Sequence, residues 1–199
     1  VASRVTARGG PTDTELVRRV VQGDSSAFGP IVQRYQDRIY NTVYRMVGSA
    51  EDAQDLAQDV FVKAYENLAG FQGTSSLYTW LFRIAVNASL SHRRKRKGIR
   101  MVNLGGGEDG PGAPGDGWPD RDPPNPAGRM VAAETETQVQ HALDGLDEEY
   151  RTVVVLRDVQ HCDYREIAEI VGVPTGTVKS RLHRARLLLR DKLQPLLEA

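Results

Sequence analysis

Apolar residues return along this chain every three or four positions, and nowhere do they alternate with polar ones over the length of a strand. That period puts them on one face of a helix. Phe28, Ile31, Val32, Tyr35, Ile39, Val43 and Val47 form one stripe. A second runs through Ala53, Leu56, Ala57, Val60, Phe61, Ala64, Tyr65 and Leu68, and a third through Leu77, Trp80, Leu81, Ile84, Ala85 and Ala88. Farther on, Val139, Leu143 and Leu146 start a helix, residues 153–156 follow a break at 147–149, and Ile167, Ala168 and Val171 lead to Val178, Leu182, Ala185 and Leu189. The expectation is an all-α protein of short helices joined by Gly or by Ser and Asp caps.

The stripes fall into two groups. Between them, residues 104–128 hold eight Gly and six Pro, with five acids (Glu108, Asp109, Asp116, Asp120, Asp122) against Arg121. Gly opens too many backbone states and Pro removes donors, so helix and strand are both disfavoured there. An acidic Gly/Pro stretch reads as a flexible linker. The predicted organisation is a helical domain at 12–97, a linker at 98–131 and a second helical domain at 132–197.

Charge sharpens this picture. The 199 residues carry 26 bases and 26 acids, but these are segregated. Residues 132–174 hold ten acids and three bases, whereas 175–192 hold six bases and one acid. The first domain ends in Arg93-Arg94-Lys95-Arg96-Lys97. Bases favour helix C-termini on dipole grounds alone. Two separate patches, one per domain, are the footprint of phosphate contact at two places on one nucleic acid. A single Cys, Cys162, excludes a disulfide framework within the chain. His161-Cys162 reads as a turn rather than a metal site, and no metal or other cofactor is expected. No apolar run approaches the ~20 residues of a membrane span, and no signal peptide is read, so the expectation is a cytoplasmic protein without direct membrane insertion. No nucleophile elbow, zinc-protease motif, phosphate loop or dinucleotide fingerprint appears, so enzymatic chemistry is not expected.

Residues 163–182 have the pattern of a helix-turn-helix. Asp163 is placed to cap the first helix with Glu166 at capping-box spacing, and Gly172 sits where a turn needs positive φ. The second helix offers Lys179, Ser180, His183, Arg184 and Arg186, donors suited to phosphates and guanine edges in a major groove.

The stretch from Gly176-Thr177-Val178-Lys179-Ser180-Arg181-Leu182 to Arg186 resembles region 4 of bacterial RNA polymerase sigma factors. Residues 51–61 resemble the polymerase-binding helix of sigma region 2, and Phe71 followed by residues 79–87 resembles its promoter-melting segment. Two motif sets in this order, joined by a mere linker, are similar to the extracytoplasmic-function (group IV) class. The resemblance implies that Asp52, Asp55, Gln58 and Asp59 dock on a coiled coil of the polymerase β′ subunit, with the β subunit a further contact. It implies that Phe71, Arg83, Asn87, Arg93, Arg94 and Lys95 read and melt the −10 element. Arg157, Thr175, Thr177, Lys179, Ser180, His183, Arg184 and Arg186 would then read the −35 element. An anti-sigma factor is an implied partner. The rival expectation is a stand-alone helix-turn-helix regulator that binds an operator without polymerase.

Overall fold

The computed structural model describes the backbone of residues 10–102 and 126–197, and the side chains of 10–98 and 134–194. Among the described residues, eight α-helices run in chain order: α1 (Asp13–Val21), α2 (Phe28–Val47), α3 (Ala50–Asn67), α4 (Leu77–Val102), α5 (Pro126–Asp144), α6 (Glu148–Val154), α7 (Tyr164–Val171) and α8 (Thr175–Leu197). Among the described residues there is no strand. Helices α4 and α5 extend into the 98–131 segment from both sides, and residues 103–125 of the expected linker lie outside the described residues.

Local chemistry sets the helix ends. Thr12 accepts the Glu15 N–H at the start of α1, Ser49 accepts the Asp52 N–H at the start of α3, and Ser76 Oγ accepts the Thr79 N–H at the start of α4. Each satisfies one donor that the first helical turn leaves open. Gly48 ends α2 at φ +82. In the first bundle, α3 and α4 pack on α2 through Ile31, Ile39, Val43, Val60, Leu81 and Phe82, all buried. Helix α1, with Leu16, Val17, Val20 and Val21 at helical spacing, contributes the wholly buried Leu16. Tyr65, placed by the pattern on an apolar face, is 45% exposed, because Ala64 and Leu68 take the buried face on either side of it while its ring meets Phe28 of α2 edge-on.

In the second bundle, α8 packs along α6 and across α7, burying Val178, Leu182 and Ala185 against Val153, Val154, Ile167 and Ile170. The run Val155–Val159 continues α6 as a π turn, which the sequence pattern does not separate from ordinary helix.

The two bundles share one continuous apolar core. Helix α4 lies against α7, and α2 against α5 and the π turn. At one end of this junction Arg38 donates to the Gln160 carbonyl (2.8 Å) and to the Tyr78 hydroxyl (2.9 Å), and that hydroxyl lies 3.0 Å from Cys162 Sγ. At the other end, Arg93 and Arg151 both donate to the Met46 carbonyl at 2.9 Å.

Candidate nucleic-acid interface

Helix α8 presents the expected donor face. Val178, Leu182 and Ala185 point inward, which leaves Lys179, Ser180, His183 and Arg184 exposed on the opposite side, with Thr175 at the helix start and Thr177 half-buried. The helix is aimed by the turn before it. Asp163 caps α7 through the Arg165 and Glu166 N–H groups at 2.8 Å, Glu166 returns a bond to the Asp163 N–H, and Gly172 closes α7 at φ +70.

Two bases of this set are engaged within the chain. Arg186 pairs with Asp158 at 2.5 Å, which holds its guanidinium above its ordinary pKa. Arg157 donates to the Cys162 carbonyl at 2.7 Å and lies over the Tyr164 ring, which Lys179 also approaches at 5.8 Å. Tyr164 is the residue that sequence reasoning missed here. It reads as a helix-opening aromatic, and only the fold puts its face beneath two cations.

In the first bundle, the structure divides the residues expected at the −10 element. Phe71 packs on Trp80 with ring centres 5.3 Å apart. From Trp80, a groove of about 630 Å³ between α3 and α4 runs past Asn87 to Lys95, with Lys63 and Asn67 on its other wall. Trp80 is half-buried, packing on one side and lining the groove on the other. Arg83, Arg93 and Arg94 face away from this groove, toward the second bundle. Arg83 donates to the Glu169 carbonyl (2.8 Å), Arg93 lies 3.6 Å from Asp144, and Arg94 lies 3.7 Å from Glu148. Burial lowers the Arg93 pKa and raises that of Asp144 despite the guanidinium beside it.

On α3, Asp55, Gln58 and Asp59 form an exposed acidic face, which the exposed Val62 continues. Asp52 differs. Arg96 holds it at 2.7 Å and His92 Nε2 lies at 3.3 Å, so the carboxylate ties α3 to the end of α4. The helical wheel gave no sign of this, because the partners lie 40 and more positions later.

Among the described residues no cluster of His, Cys, Asp and Glu is placed to hold a metal ion, and no helix is long and apolar enough to cross a membrane. Cys162 is buried, and burial pushes its thiol up to about 11, which keeps it protonated and a poor nucleophile.

Residues 31–99 match the family model for sigma-70 region 2, and residues 136–189 match that for sigma-70 region 4. The RNA polymerase sigma-H factor of Pseudomonas aeruginosa is 39% identical over 188 residues, 93% of this chain and 95% of that protein. The chain belongs to the extracytoplasmic-function sigma factors. Members from Haemophilus influenzae (sigma-E, 38% identical, covering 94% of this chain and 97% of that one) and Bacillus subtilis (SigW, 36%, covering 90% and 96%) align over nearly their whole length. The solved structure of RpoE with the anti-sigma factor NepR from Bartonella quintana shares the fold, with a TM-score of 0.66 at 24% identity over 84% of this chain and 96% of that one. That of CnrH with the cytosolic domain of CnrY does so at 0.65 and 23%, over 90% and 96%. This sigma factor therefore carries region 2 on α2–α4 and region 4 on α5–α8. It is a promoter-specificity factor for RNA polymerase, acting in transcription initiation. Matches to both regions leave the operator-only regulator without support.

Proposed function

We propose that this sigma factor makes its sequence-specific contacts at two separate surfaces in the cytoplasm. Helix α8 reads the −35 duplex through Lys179, Ser180, His183 and Arg184, with Thr175, Thr177, Arg157 and Arg186 steadying the phosphates. The groove from Phe71 and Trp80 to Asn87 and Lys95 takes the melted −10 strand, where rings stack an unpaired base and Asn87 bonds its edge. Asp55, Gln58 and Asp59 dock on the polymerase β′ coiled coil, Asp52 holds that helix to α4, and the β subunit is a further contact. An anti-sigma factor is a partner, as it is for the solved RpoE. The observation that carries this reading is the exposed donor face of α8, with its apolar side buried beneath it.

Run-off transcription with purified core polymerase tests it. A lost base contact costs ~1–3 kcal/mol, so Lys179→Ala with Arg184→Ala abolishes binding to upstream duplex while core-polymerase binding stays intact. Asn87→Ala spares upstream binding and impairs capture of the open strand, and a pre-melted bubble template does not rescue it. Equal loss of both functions from either variant would sink the two-surface reading.

A further inference from the structure

Two bases of the −35 set, carried by different elements, share one aromatic ring. The Arg157 guanidinium stands 5.1 Å and the Lys179 ammonium 5.8 Å from the centre of the Tyr164 ring. Both are close enough for the negative face of the ring to draw them. Tyr164 opens α7 and is half-buried, packed against the apolar core. Arg157 belongs to the π turn and Lys179 to α8, so one side chain links three elements.

Arg186, a third base of the set, is fixed in another way. Its Nε and one terminal nitrogen both donate to Asp158, at 3.2 and 2.5 Å. That pairing occupies the guanidinium fork, the geometry in which a phosphate would be bound. A ring face makes no such claim, because it attracts positive charge without engaging the donors turned away from it. Arg157 gives one N–H to the Cys162 carbonyl at 2.7 Å, and Lys179 is exposed. Among the described residues neither forms an ion pair. The ring holds these two bases and leaves their charge unanswered by any acid.

We propose that Tyr164 is a positioning residue for promoter DNA: its ring holds Arg157 and Lys179 at a set spacing with their donors open, so that the contacts to the −35 duplex are in place before DNA arrives. The proposal rests on the reading that α8 faces that duplex. Long basic side chains lose rotamer freedom when DNA immobilises them, and a base already held against a ring has less to lose. Two cations gathered at one place also repel each other, and the negative face of the ring offsets that repulsion in the free protein. The aromatic face, and not the hydroxyl, carries this role.

The experiment uses the full chain, a dye-labelled mixed-sequence DNA duplex titrated over a range of salt, and the NMR shift of the Lys179 ε-methylene protons, which a ring face moves upfield. Tyr164→Leu keeps an apolar side chain on the core but removes the face. It loses the upfield shift, binds the duplex about five-fold more weakly, and its salt slope falls by about one phosphate contact. Tyr164→Phe keeps the face and stays within about two-fold of wild type. A side chain that merely packs acts independently of the base above it, whatever it does to the melting temperature. In a Lys179→Met background Tyr164→Leu therefore costs clearly less than in the wild type, and additive losses overturn the proposal. Wild-type binding by Tyr164→Leu overturns it too, as does a Tyr164→Phe variant as weak as Tyr164→Leu, which would give the contact to the hydroxyl. Arg184, which no ring holds, separates these failures from failure of the α8 reading. If Arg184→Ala weakens duplex binding while Tyr164→Leu does not, α8 does face DNA and only the part given to the ring is wrong. If Lys179→Ala with Arg184→Ala also leaves binding unchanged, the α8 reading falls with it.

Discussion

Gly172 holds φ +70 between α7 and α8, with no atom near the place where a Cβ would stand. The conformation, rather than space, makes glycine the residue of choice there. Gly172→Val forces a β-branched side chain into the left-handed region at a cost of about 1–2 kcal/mol. A thermal melt therefore falls for Val and falls less for Asn, which tolerates that region; equal melting of all three proteins would place the decisive turn elsewhere. This residue was legible in the sequence because a helix-turn-helix needs such a turn at such a place. Asp52 was only half legible. The family resemblance implied docking, whereas Arg96 and His92 give it a structural bond within the chain. Arg151 offered a faint signal, a charge on the apolar side of a short helix beside Val154 and Val155.

At the scale of elements, helices were readable because their determinants are local. The capping box of α7 lies within four residues and appears as the pattern foresees. Helix α7 is eight residues long, too short to persist without its cap and its packing. Removing the cap by Asp163→Ala costs about 1 kcal/mol and loosens the seat of α8. Both a lower melting temperature and weaker −35 duplex binding follow, and addition of excess duplex recovers part of the lost melting temperature by mass action. A melt identical to wild type would show that packing alone holds α7. The π turn at Val155–Val159 was not readable. An unbroken apolar run looks the same whether the backbone keeps its helical period or widens it to meet a neighbour.

For the whole molecule, the junction between the regions links stability to pH. Cys162 Sγ in region 4 lies 3.0 Å from the Tyr78 hydroxyl in region 2. Burial pushes the thiol from 9.0 to about 11 and raises the tyrosine as well. Unfolding releases a group that deprotonates more readily, so the contribution is complete below pH 9.0 and is lost as pH rises toward about 11. For the thiol it amounts to about 2–3 kcal/mol at most. Chemical denaturation across that range should show stability falling with pH, and falling less steeply in Cys162→Ala. A parallel fall in both proteins would mean that the thiol titrates as readily in the native state as in the unfolded one.

What the sequence determined by itself is what short-range physics controls. Apolar period decides that the chain is helical, caps and glycines decide where helices α2, α3, α4 and α7 begin or end, and the donor-rich side of α8 follows from Val178, Leu182 and Ala185 pointing the other way. The choice among partners for a charge is different. Arg93, Arg94 and Lys97 read as free phosphate binders because nothing within reach along the chain opposes them. Their carboxylates lie some fifty residues away and arrive only when α5 and α6 pack against α2 and α4. Charges act through space, and only the tertiary structure sets those distances.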